Sequence, residues 1–258
     1  MASGDVRVEK SEGGRLVTLT IDRPPLNVLD IETIEKLGRA LDRVSAEREA
    51  AVVILAGAGT RAFSAGVDVA DHVPEKIAAM LRTFHAIFGK LSTLPAISIS
   101  AANGMALGGG LELLAGCDLA VAAEDARLAV PEIDVGCYPP VALAHWPGVA
   151  GSKLVADLVL TGRAISAAEA KSAGLVSHVA KPGGALAAAE GVARTLLGKS
   201  PSVLRVAVET LRRLDRVESH RRLVEAENGY LRDLLPLEDL NEGIRAFTEK
   251  RPPRWTGR

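Results

Sequence analysis

Three runs of mostly small and apolar residues constrain the fold of this chain more than any other feature of its sequence. The runs cover residues 51–56, 96–101 and 118–123 and consist mostly of Ala, Val, Leu and Ile. Such a run is typical of a parallel strand that helices cover on both faces. Helical patterns lie between the runs, so strand and helix alternate along the chain. This order predicts an α/β fold with right-handed crossover connections.

Hydrophobic spacing and capping residues predict the other elements. Asp30 is placed to cap a first helix, Pro74 stands near the start of a second, and Pro201 begins a long C-terminal helix. A capping box, Ser166-Ala167-Ala168-Glu169, opens a shorter helix. The further strands are predicted over residues 7–9 and 15–21, and the main helices over residues 30–48, 74–91, 108–115, 201–231 and 237–250.

The long C-terminal helix carries an apolar stripe on one side. Its members are Val203, Val206, Val208, Leu211 and Leu214. Two interpretations fit the stripe equally well. It packs on another subunit, or it packs on the core of its own chain.

Composition and charge exclude several classes of protein. The chain has 258 residues and a formal net charge of −1, without the basic excess of a nucleic-acid-binding protein. Residues 1–10 lack the pattern of a signal peptide, and no apolar stretch is long enough to span a bilayer. Cys117 and Cys137 show neither a disulfide framework nor a metal-type spacing, so we expect buried thiols. We therefore expect a cytoplasmic protein without nucleic-acid or membrane partners.

Two glycine-containing turns each follow a strand and each offer free backbone N–H groups. The first is Ser64-Ala65-Gly66-Val67-Asp68, and the second is Gly108-Gly109-Gly110 at the start of a helix. Free N–H groups at such a position point toward an oxyanion, and glycine lets a ligand approach the backbone closely. Either turn alone is more often structural. Together with two nearby carboxylates they predict a site that polarises a carbonyl group.

The two carboxylates belong to Glu112 and Glu132. Glu112 lies in the first turn of the glycine-headed helix among apolar neighbours, and a buried glutamate there needs a partner or a chemical role. Glu132 follows Pro131, where a turn or ion-pair residue is the ordinary interpretation. Two carboxylates beside two aimed N–H donors can move protons next to a polarised carbonyl.

These segments resemble the enoyl-CoA hydratase/isomerase superfamily, also called the crotonase superfamily. The resemblance runs over nearly the whole chain, from Asp22 to Arg251. Glu112 and Glu132 are twenty positions apart (132 − 112), as are the two catalytic glutamates of the hydratases. Residues 242–251 are also similar to the closing segment of the family.

The resemblance implies an architecture and a ligand. It implies a crotonase-like spiral of repeated ββα units over residues 1–195, followed by a helical trimerisation region over residues 196–258. The implied ligand is an acyl-CoA thioester, so coenzyme A is part of the substrate and we expect neither a separate cofactor nor a metal. The implied assembly is a homotrimer or a dimer of trimers.

The resemblance also implies roles for single residues. The N–H groups of Val67 and Gly109 would hold the thioester oxygen. Glu112 would activate water at C3, and Glu132 would protonate C2. Six further residues are implied to bind the substrate: Ala65, Asp68, Tyr138, Pro140, Phe247 and Lys250. The last two match positions near the adenine and its phosphate, which a neighbouring subunit usually supplies.

The sequence departs from the family pattern at two positions of direct chemical importance. Ala70 stands where many relatives carry a lysine for CoA, so we expect Arg61 or Lys250 to supply that contact. Pro140 stands where hydratases commonly have an N–H group that helps to place the water, and proline has no N–H to donate.

Other differences concern the acyl group. His72, Tyr138 and His145 lie where family members differ in acyl specificity, and each is more often a packed or surface residue than a catalyst. The segments 71–75 and 138–140 are similar to those of the alicyclic dienoyl-CoA hydratases.

The sequence therefore predicts an enoyl-CoA hydratase that acts on a 2-enoyl-CoA or on a cyclohexadiene-carbonyl-CoA. One alternative is double-bond isomerisation or other enolate chemistry on the same fold, which Pro140 favours. The other alternative is a CoA-binding protein without catalytic activity.

Overall fold

Ten strands and ten helices make up the part of the chain that the computed structural model describes, residues 4–47 and 49–258. The strands are β1 (Asp5–Ser11), β2 (Leu16–Asp22), β3 (Val52–Gly57), β4 (Ala62–Ser64), β5 (Ile97–Ala102), β6 (Met105–Leu107), β7 (Leu119–Ala123), β8 (Leu128–Ala129), β9 (Ala164–Ile165) and β10 (His178–Ala180). The helices are α1 (Ile31–Ala46), α2 (Ile77–Thr93), α3 (Gly109–Ala115), α4 (Pro140–His145), α5 (Pro147–Ala150), α6 (Ser152–Thr161), α7 (Ala167–Ser172), α8 (Ala185–Leu197), α9 (Pro201–Gly229) and α10 (Glu238–Glu249).

The strands form two sheets. The larger has the strand order β1-β2-β3-β5-β7-β10, in which only β1 and β2 pair antiparallel. The smaller has the order β4-β6-β8-β9, with β4, β6 and β8 parallel. Each strand pair β3–β4, β5–β6 and β7–β8 therefore adds one strand to each sheet before the chain turns into a helical segment. The predicted spiral of repeated ββα units is confirmed.

Both faces of the larger sheet are covered, as the apolar runs predict. Val53 and Leu55 of β3 belong to the main core, whereas Val52 and Ile54 face a second cluster that contains Ala189 of α8. Alternate residues of a strand point to opposite faces, so a strand buried on both sides needs apolar residues at every position.

Two predicted helix caps are present in the structure, and one helix begins later than predicted. The Asp30 side chain caps α1 by accepting a hydrogen bond from the Thr33 N–H at 2.8 Å. The predicted C-terminal end of this helix at Arg48 lies outside the described residues. Helix α2 begins at Ile77 rather than at Pro74, because residues 74–76 form a turn before it. The Ser166 hydroxyl accepts from the Glu169 N–H, which confirms the predicted capping box.

The C-terminal helices pack back onto the spiral of the same chain. Helix α9 lies against α2 and α4 and continues into a π-helical turn, Tyr230–Leu234. Helix α10 lies against the 3₁₀ turn Pro131–Val135, so closely that a Cβ on Gly243 would be 2.3 Å from the Val135 carbonyl oxygen. The segment that carries Glu132 is thus covered by its own C-terminal region.

The apolar stripe of α9 is mostly exposed. Val203, Val206, Leu211 and Leu214 are each at least 63 % exposed, and Val208 is buried. The interpretation that the stripe packs on its own core is therefore correct for Val208 alone. Among the described residues, no helix is both long enough and apolar enough to cross a membrane.

Candidate active site

The two glycine turns lie next to each other. A Cβ on Gly66, whose φ is 94°, would lie 3.4 Å from the Gly109 nitrogen. A Cβ on Gly109 would lie 2.9 Å from Cγ2 of Val67. The parallel pairing of β4 with β6 creates this contact, because each turn follows one of those strands.

The amides of Val67 and Gly109 are free to bind a ligand. The Leu29 N–H donates to Gly66 O and the Asp68 N–H donates to Leu29 O, so the Val67 N–H faces away from Leu29. Gly109 is the first residue of α3, where an N–H has no partner within the helix. Within the described part of the chain, neither amide has a backbone acceptor. Two adjacent free donors are what an oxyanion requires.

Glu112 is buried and points at the start of α4. It is 2 % exposed, and its Oε1 accepts a hydrogen bond from the Ala142 N–H at 2.8 Å. Burial raises the pKa of Glu112 to about 7, and hydrogen bonds from the backbone of Ala142 and Val141 limit the rise. Pro140 occupies the first position of α4, where its missing N–H breaks no helical hydrogen bond.

Glu132 reaches over the second glycine turn. Its Oε1 lies 2.6 Å from the position of a Cβ on Gly108, so a side chain larger than hydrogen at position 108 would displace the carboxylate. Its Oε2 is inaccessible to solvent and has no hydrogen-bond partner among the described residues. Burial, and then the charge of Glu112, raise the pKa of Glu132 well above its usual range. The two carboxylates are therefore close enough for the protonation of one to affect the other.

The residues beside Val67 build the first turn. The Ala65 N–H donates to Leu26 O at 2.9 Å. The Asp68 carboxylate receives Arg23 Nη1 at 3.2 Å and the Ala70 N–H at 3.1 Å. Both oxygen atoms of Asp68 are engaged within the protein, which favours a structural role in holding the turn. Ala65 and Asp68 as substrate-binding residues remain predictions.

The predicted CoA-binding side chains lie on the surface. Phe247 on α10 is exposed, as are Arg61 and Lys250. Lys250 ends α10 with a φ of 53°, in the left-handed region. Their contact with the nucleotide part of a ligand remains a prediction.

The other singled-out side chains have protein partners. The Tyr138 hydroxyl donates to Ala226 O at 2.9 Å and so ties α9 to the segment before α4. His72 Nδ1 lies 3.0 Å from Asp68 O, and burial lowers the pKa of His72. The His145 ring packs edge to face on Phe88 at 6.1 Å. It remains a prediction that Tyr138 and Pro140 bind the substrate. It also remains a prediction that His72 and His145 affect acyl specificity.

The cysteines confirm the prediction of buried thiols. Cys117 and Cys137 are free and buried. Burial raises the pKa of each thiol to about 12. Neither is a nucleophile at neutral pH.

Sequence reasoning missed two aromatic residues at the site. Cζ of Phe84 would be 3.0 Å from a Cβ on Gly109, so its ring forms a wall beside the free amides. Tyr230 is 1 % exposed and belongs to a cluster packed against Val67. Both residues look like ordinary core positions in a helical pattern. The only available signal was the rarity of tyrosine, which occurs twice in the chain.

Comparison with known proteins agrees with this geometry. Residues 11–258 match the family model described as enoyl-CoA hydratase/isomerase. The chain belongs to the enoyl-CoA hydratase/isomerase family. The resemblance found in the sequence is therefore confirmed.

Relatives in this family match the chain from end to end. A putative enoyl-CoA hydratase of Thermus thermophilus is 37 % identical over 262 residues, which cover 97 % of this chain and 100 % of the relative. A cyclohexa-1,5-dienecarbonyl-CoA hydratase of Thauera aromatica is 33 % identical over 260 residues, which cover 100 % of this chain and 99 % of the relative.

Solved structures of the family share the fold. The crystal structure of an enoyl-CoA hydratase from Mycobacterium avium subsp. paratuberculosis K-10 matches with a TM-score of 0.86 at 25 % identity, over 97 % of this chain and 98 % of that chain. An enoyl-CoA hydratase/isomerase from Pseudoalteromonas atlantica T6c matches with a TM-score of 0.84 at 28 % identity, over 98 % and 100 %. The predicted fold class is confirmed.

Proposed function

We propose that the protein is an enoyl-CoA hydratase, which adds water across the conjugated double bond of an acyl-CoA thioester. One observation carries the proposal. Two carboxylates with raised pKa values, those of Glu112 and Glu132, interact with each other beside the adjacent free amides of Val67 and Gly109. Family membership supports chemistry on an enoyl-CoA thioester.

The free amides act on the thioester. The N–H groups of Val67 and Gly109 donate to its carbonyl oxygen, which gains negative charge when a nucleophile attacks C3. A pair of aimed donors in a water-poor site stabilises that enolate far better than it stabilises the uncharged thioester. Loss of one such donor typically costs about 10²–10³ in rate.

The carboxylates move the protons. Ionised Glu112 takes a proton from water while the water oxygen forms a bond to C3, and the C2–C3 π electrons shift toward the carbonyl. Protonated Glu132 then gives its proton to C2, and the enolate electrons form the C2–H bond. Addition of one water molecule leaves Glu112 protonated and Glu132 ionised, and proton exchange restores the pair.

The raised pKa values suit one carboxylate for the role of base and the other for the role of acid. Two interacting carboxylates that are shielded from water resist double ionisation, so at neutral pH one keeps a proton while the other is ionised. Two backbone hydrogen bonds, from Ala142 and Val141, favour the ionised form of Glu112, whereas Glu132 has one such bond, from its own N–H, and its Oε2 has no partner among the described residues. Glu112 is therefore the base and Glu132 the acid.

Two narrower functions have support of their own. A cyclohexadiene-carbonyl-CoA substrate is supported by the Thauera aromatica relative of that specificity. Double-bond isomerisation, in which protons move and no water is added, is favoured by Pro140, which offers no N–H to a water molecule.

Variants of the two glutamates test the proposal. We expect Glu112→Gln and Glu132→Gln each to lower hydration of short-chain and cyclic enoyl-CoA esters by more than about 10²-fold. Glu209→Gln, on the exposed side of α9, is the matched control and should keep the parent's rate. Near-normal turnover in both site variants would refute the proposal.

Isotope and binding measurements separate the alternatives. Products formed in ¹⁸O-labelled water carry the label after hydration and lack it after isomerisation. A protein that binds acyl-CoA by calorimetry, yet turns over no ester in a broad panel, would have a binding function alone.

We further propose that the chain divides into a spiral of residues 1–195 and an oligomerising helical region of residues 196–258. Support comes from the exposed apolar side chains of α9, namely Val203, Val206, Leu211 and Leu214. The expected assembly is a homotrimer or a dimer of trimers. A monomer in light scattering at micromolar concentration would contradict it.

A further inference from the structure

The direction of the Glu132 carboxylate depends on the backbone that carries it. The carboxylate accepts a hydrogen bond from the N–H of its own residue, and its Oε2 has no hydrogen-bond partner among the described residues. The side chain is therefore fastened to its own backbone. The orientation of that backbone sets the direction in which the carboxylate gives a proton.

The backbone of Glu132 is held at its carbonyl oxygen. That oxygen accepts hydrogen bonds from the N–H groups of Gly136 and Cys137, the latter at 3.0 Å. The Cys137 thiol is a further donor, with its Sγ 3.5 Å from the same oxygen. Any residue except proline supplies an N–H at position 137, but the contact from the side chain depends on the residue type.

The Cys137 thiol is held in turn by the C-terminal region. The Tyr230 hydroxyl forms a hydrogen bond with the Cys137 side chain. Tyr230 is 1 % exposed and begins the π-helical turn Tyr230–Leu234 that follows α9. Burial raises the pKa of Tyr230, so the hydroxyl keeps its proton and donates it to the sulfur. Hydroxyl, thiol and carbonyl thus form a chain of hydrogen bonds that ends at the backbone of Glu132.

Cys137 also lies close to the other parts of the candidate site. Cys137 and Tyr230 belong to one buried cluster, and Val67 packs against that cluster. Burial, and then the charges of Glu132 and Glu112, raise the pKa of Cys137 to about 12. The thiol therefore stays protonated at neutral pH and remains a hydrogen-bond donor beside both carboxylates.

We propose that Cys137 is a positioning residue that aims the Glu132 carboxylate by holding the Glu132 carbonyl oxygen, while Tyr230 holds the Cys137 sulfur. No proton of the reaction passes through the thiol. A misplacement of about 1 Å at a reacting group costs about 10²-fold in rate, so a looser turn slows the protonation of C2 without weakening substrate binding. This inference rests on the proposed hydratase function, in which Glu132 is the acid, and adds a positioning residue to it.

Cys137→Ala tests the inference in two backgrounds. In the otherwise unchanged protein, we expect the kcat for hydration of crotonyl-CoA to fall on the order of 10-fold, with KM within about two-fold of the parent value. In a protein that already carries Glu132→Gln, the same change should lower kcat by less than about two-fold, because no acid is left to aim. Cys137→Ser keeps a donor near the same carbonyl oxygen and should recover most of the parent's kcat.

Tyr230→Phe removes the hydroxyl and keeps the ring, so it tests the same chain of hydrogen bonds with less effect on packing. We expect a loss of kcat of about three-fold that also disappears in the Glu132→Gln background. Cys117→Ala is the matched control, because Cys117 is also a buried thiol and its Sγ lies 3.8 Å from a different carbonyl oxygen, that of Leu113. That variant should keep the parent's kcat.

The outcomes separate this inference from the proposed function. A loss of kcat that vanishes in the Glu132→Gln background supports the positioning role. An unchanged kcat in Cys137→Ala, or an equal fold loss in both backgrounds, would overturn that role and leave Glu132 as the proposed acid. If Cys137→Ala does not fold, the same comparison with Tyr230→Phe decides between these outcomes. A parent that hydrates no enoyl-CoA ester, or a Glu132→Gln variant with the parent's rate, would refute the proposed function instead.

Discussion

Replacement of Gly109 by alanine tests the proposed oxyanion site most directly. The added methyl group would lie 2.9 Å from Cγ2 of Val67 and 3.0 Å from Cζ of Phe84. Ordinary van der Waals contact begins at 3.4 Å, so the backbone or its neighbours must yield by 0.5 Å (3.4 − 2.9). Val67 carries the other proposed donor, so this shift separates the two N–H groups from their common target.

The expected effect on the rate follows from that shift. A misplacement of about 1 Å at a reacting group costs about 10²-fold, and complete loss of one donor costs about 10²–10³-fold. We expect Gly109→Ala to lower the kcat of hydration by about 10- to 100-fold. Overpacking also costs about 1–3 kcal/mol, which for a chain of this size lowers Tm by roughly 2–12 °C.

The assay is hydration of crotonyl-CoA, followed by loss of the conjugated thioester absorbance. Gly191→Ala is the matched control, because Gly191 lies inside α8 and an added Cβ there has no atom within 4 Å. We expect that control to keep the parent's kcat and to gain about 0.5–1 kcal/mol in stability from lower chain entropy. A Gly109→Ala variant with the parent's kcat would refute the assignment of this amide to the oxyanion site.

Three further predictions concern charge. The kcat of hydration should rise as the pH increases through about 7, where Glu112 loses its proton. A kcat that does not change from pH 5.5 to 8 would contradict the role of Glu112 as the base. Folded Glu112 binds its proton more tightly than the unfolded chain, with a pKa of about 7 against 4.5, so this group lowers stability by up to about 3 kcal/mol as pH rises through that interval. In chemical denaturation, the free energy of unfolding of Glu112→Gln should increase relative to that of the parent as the pH rises from 4.5 to 8. Parallel plots of unfolding free energy against pH would argue against the raised pKa. Arg212, whose side chain is 9 % exposed, binds Asp118 and the carbonyl oxygen of Ala96. In urea unfolding, Arg212→Ala should lower the free energy of unfolding by about 3–5 kcal/mol, with Arg213→Ala at an exposed position as the control. Equal losses of stability in the two variants would contradict a structural ion pair.

Local patterns in the sequence were sufficient for β1, β2, β3, β5 and β7 and for most of the long helices, but not for the short strands β4, β6, β8, β9 and β10. The runs around β3 and β7 are apolar at nearly every position, and β5 adds two buried serines to its apolar residues, as is typical of strands covered on both faces. Asp30 and Ser166 cap their helices as predicted because a capping hydrogen bond joins residues three apart. The start of α2 was less well predicted, since Pro74 is compatible with a turn as well as with a first helical residue.

The identity of the chemical groups was also available from the sequence, but their direction was not. Glu132 stands in a turn, where a solvent-exposed carboxylate is the ordinary outcome. Its direction depends on the packing of α10 on the Pro131–Val135 turn and on the space that Gly108 leaves. The raised pKa of Glu132 follows from that burial and from Glu112, and both are properties of the folded pocket.

The sequence by itself determined the repeated strand–helix order, the two glycine turns and the types of residue near them. Tertiary structure alone decided that Gly66 and Gly109 come into contact, because this depends on parallel pairing of β4 with β6, whose partners lie 43 residues apart (105 − 62). It also decided that the segment carrying Glu132 is covered, since α10 must return to pack on the Pro131–Val135 turn. Contacts between distant segments depend on the packing of the whole chain, so a local sequence pattern does not predict them.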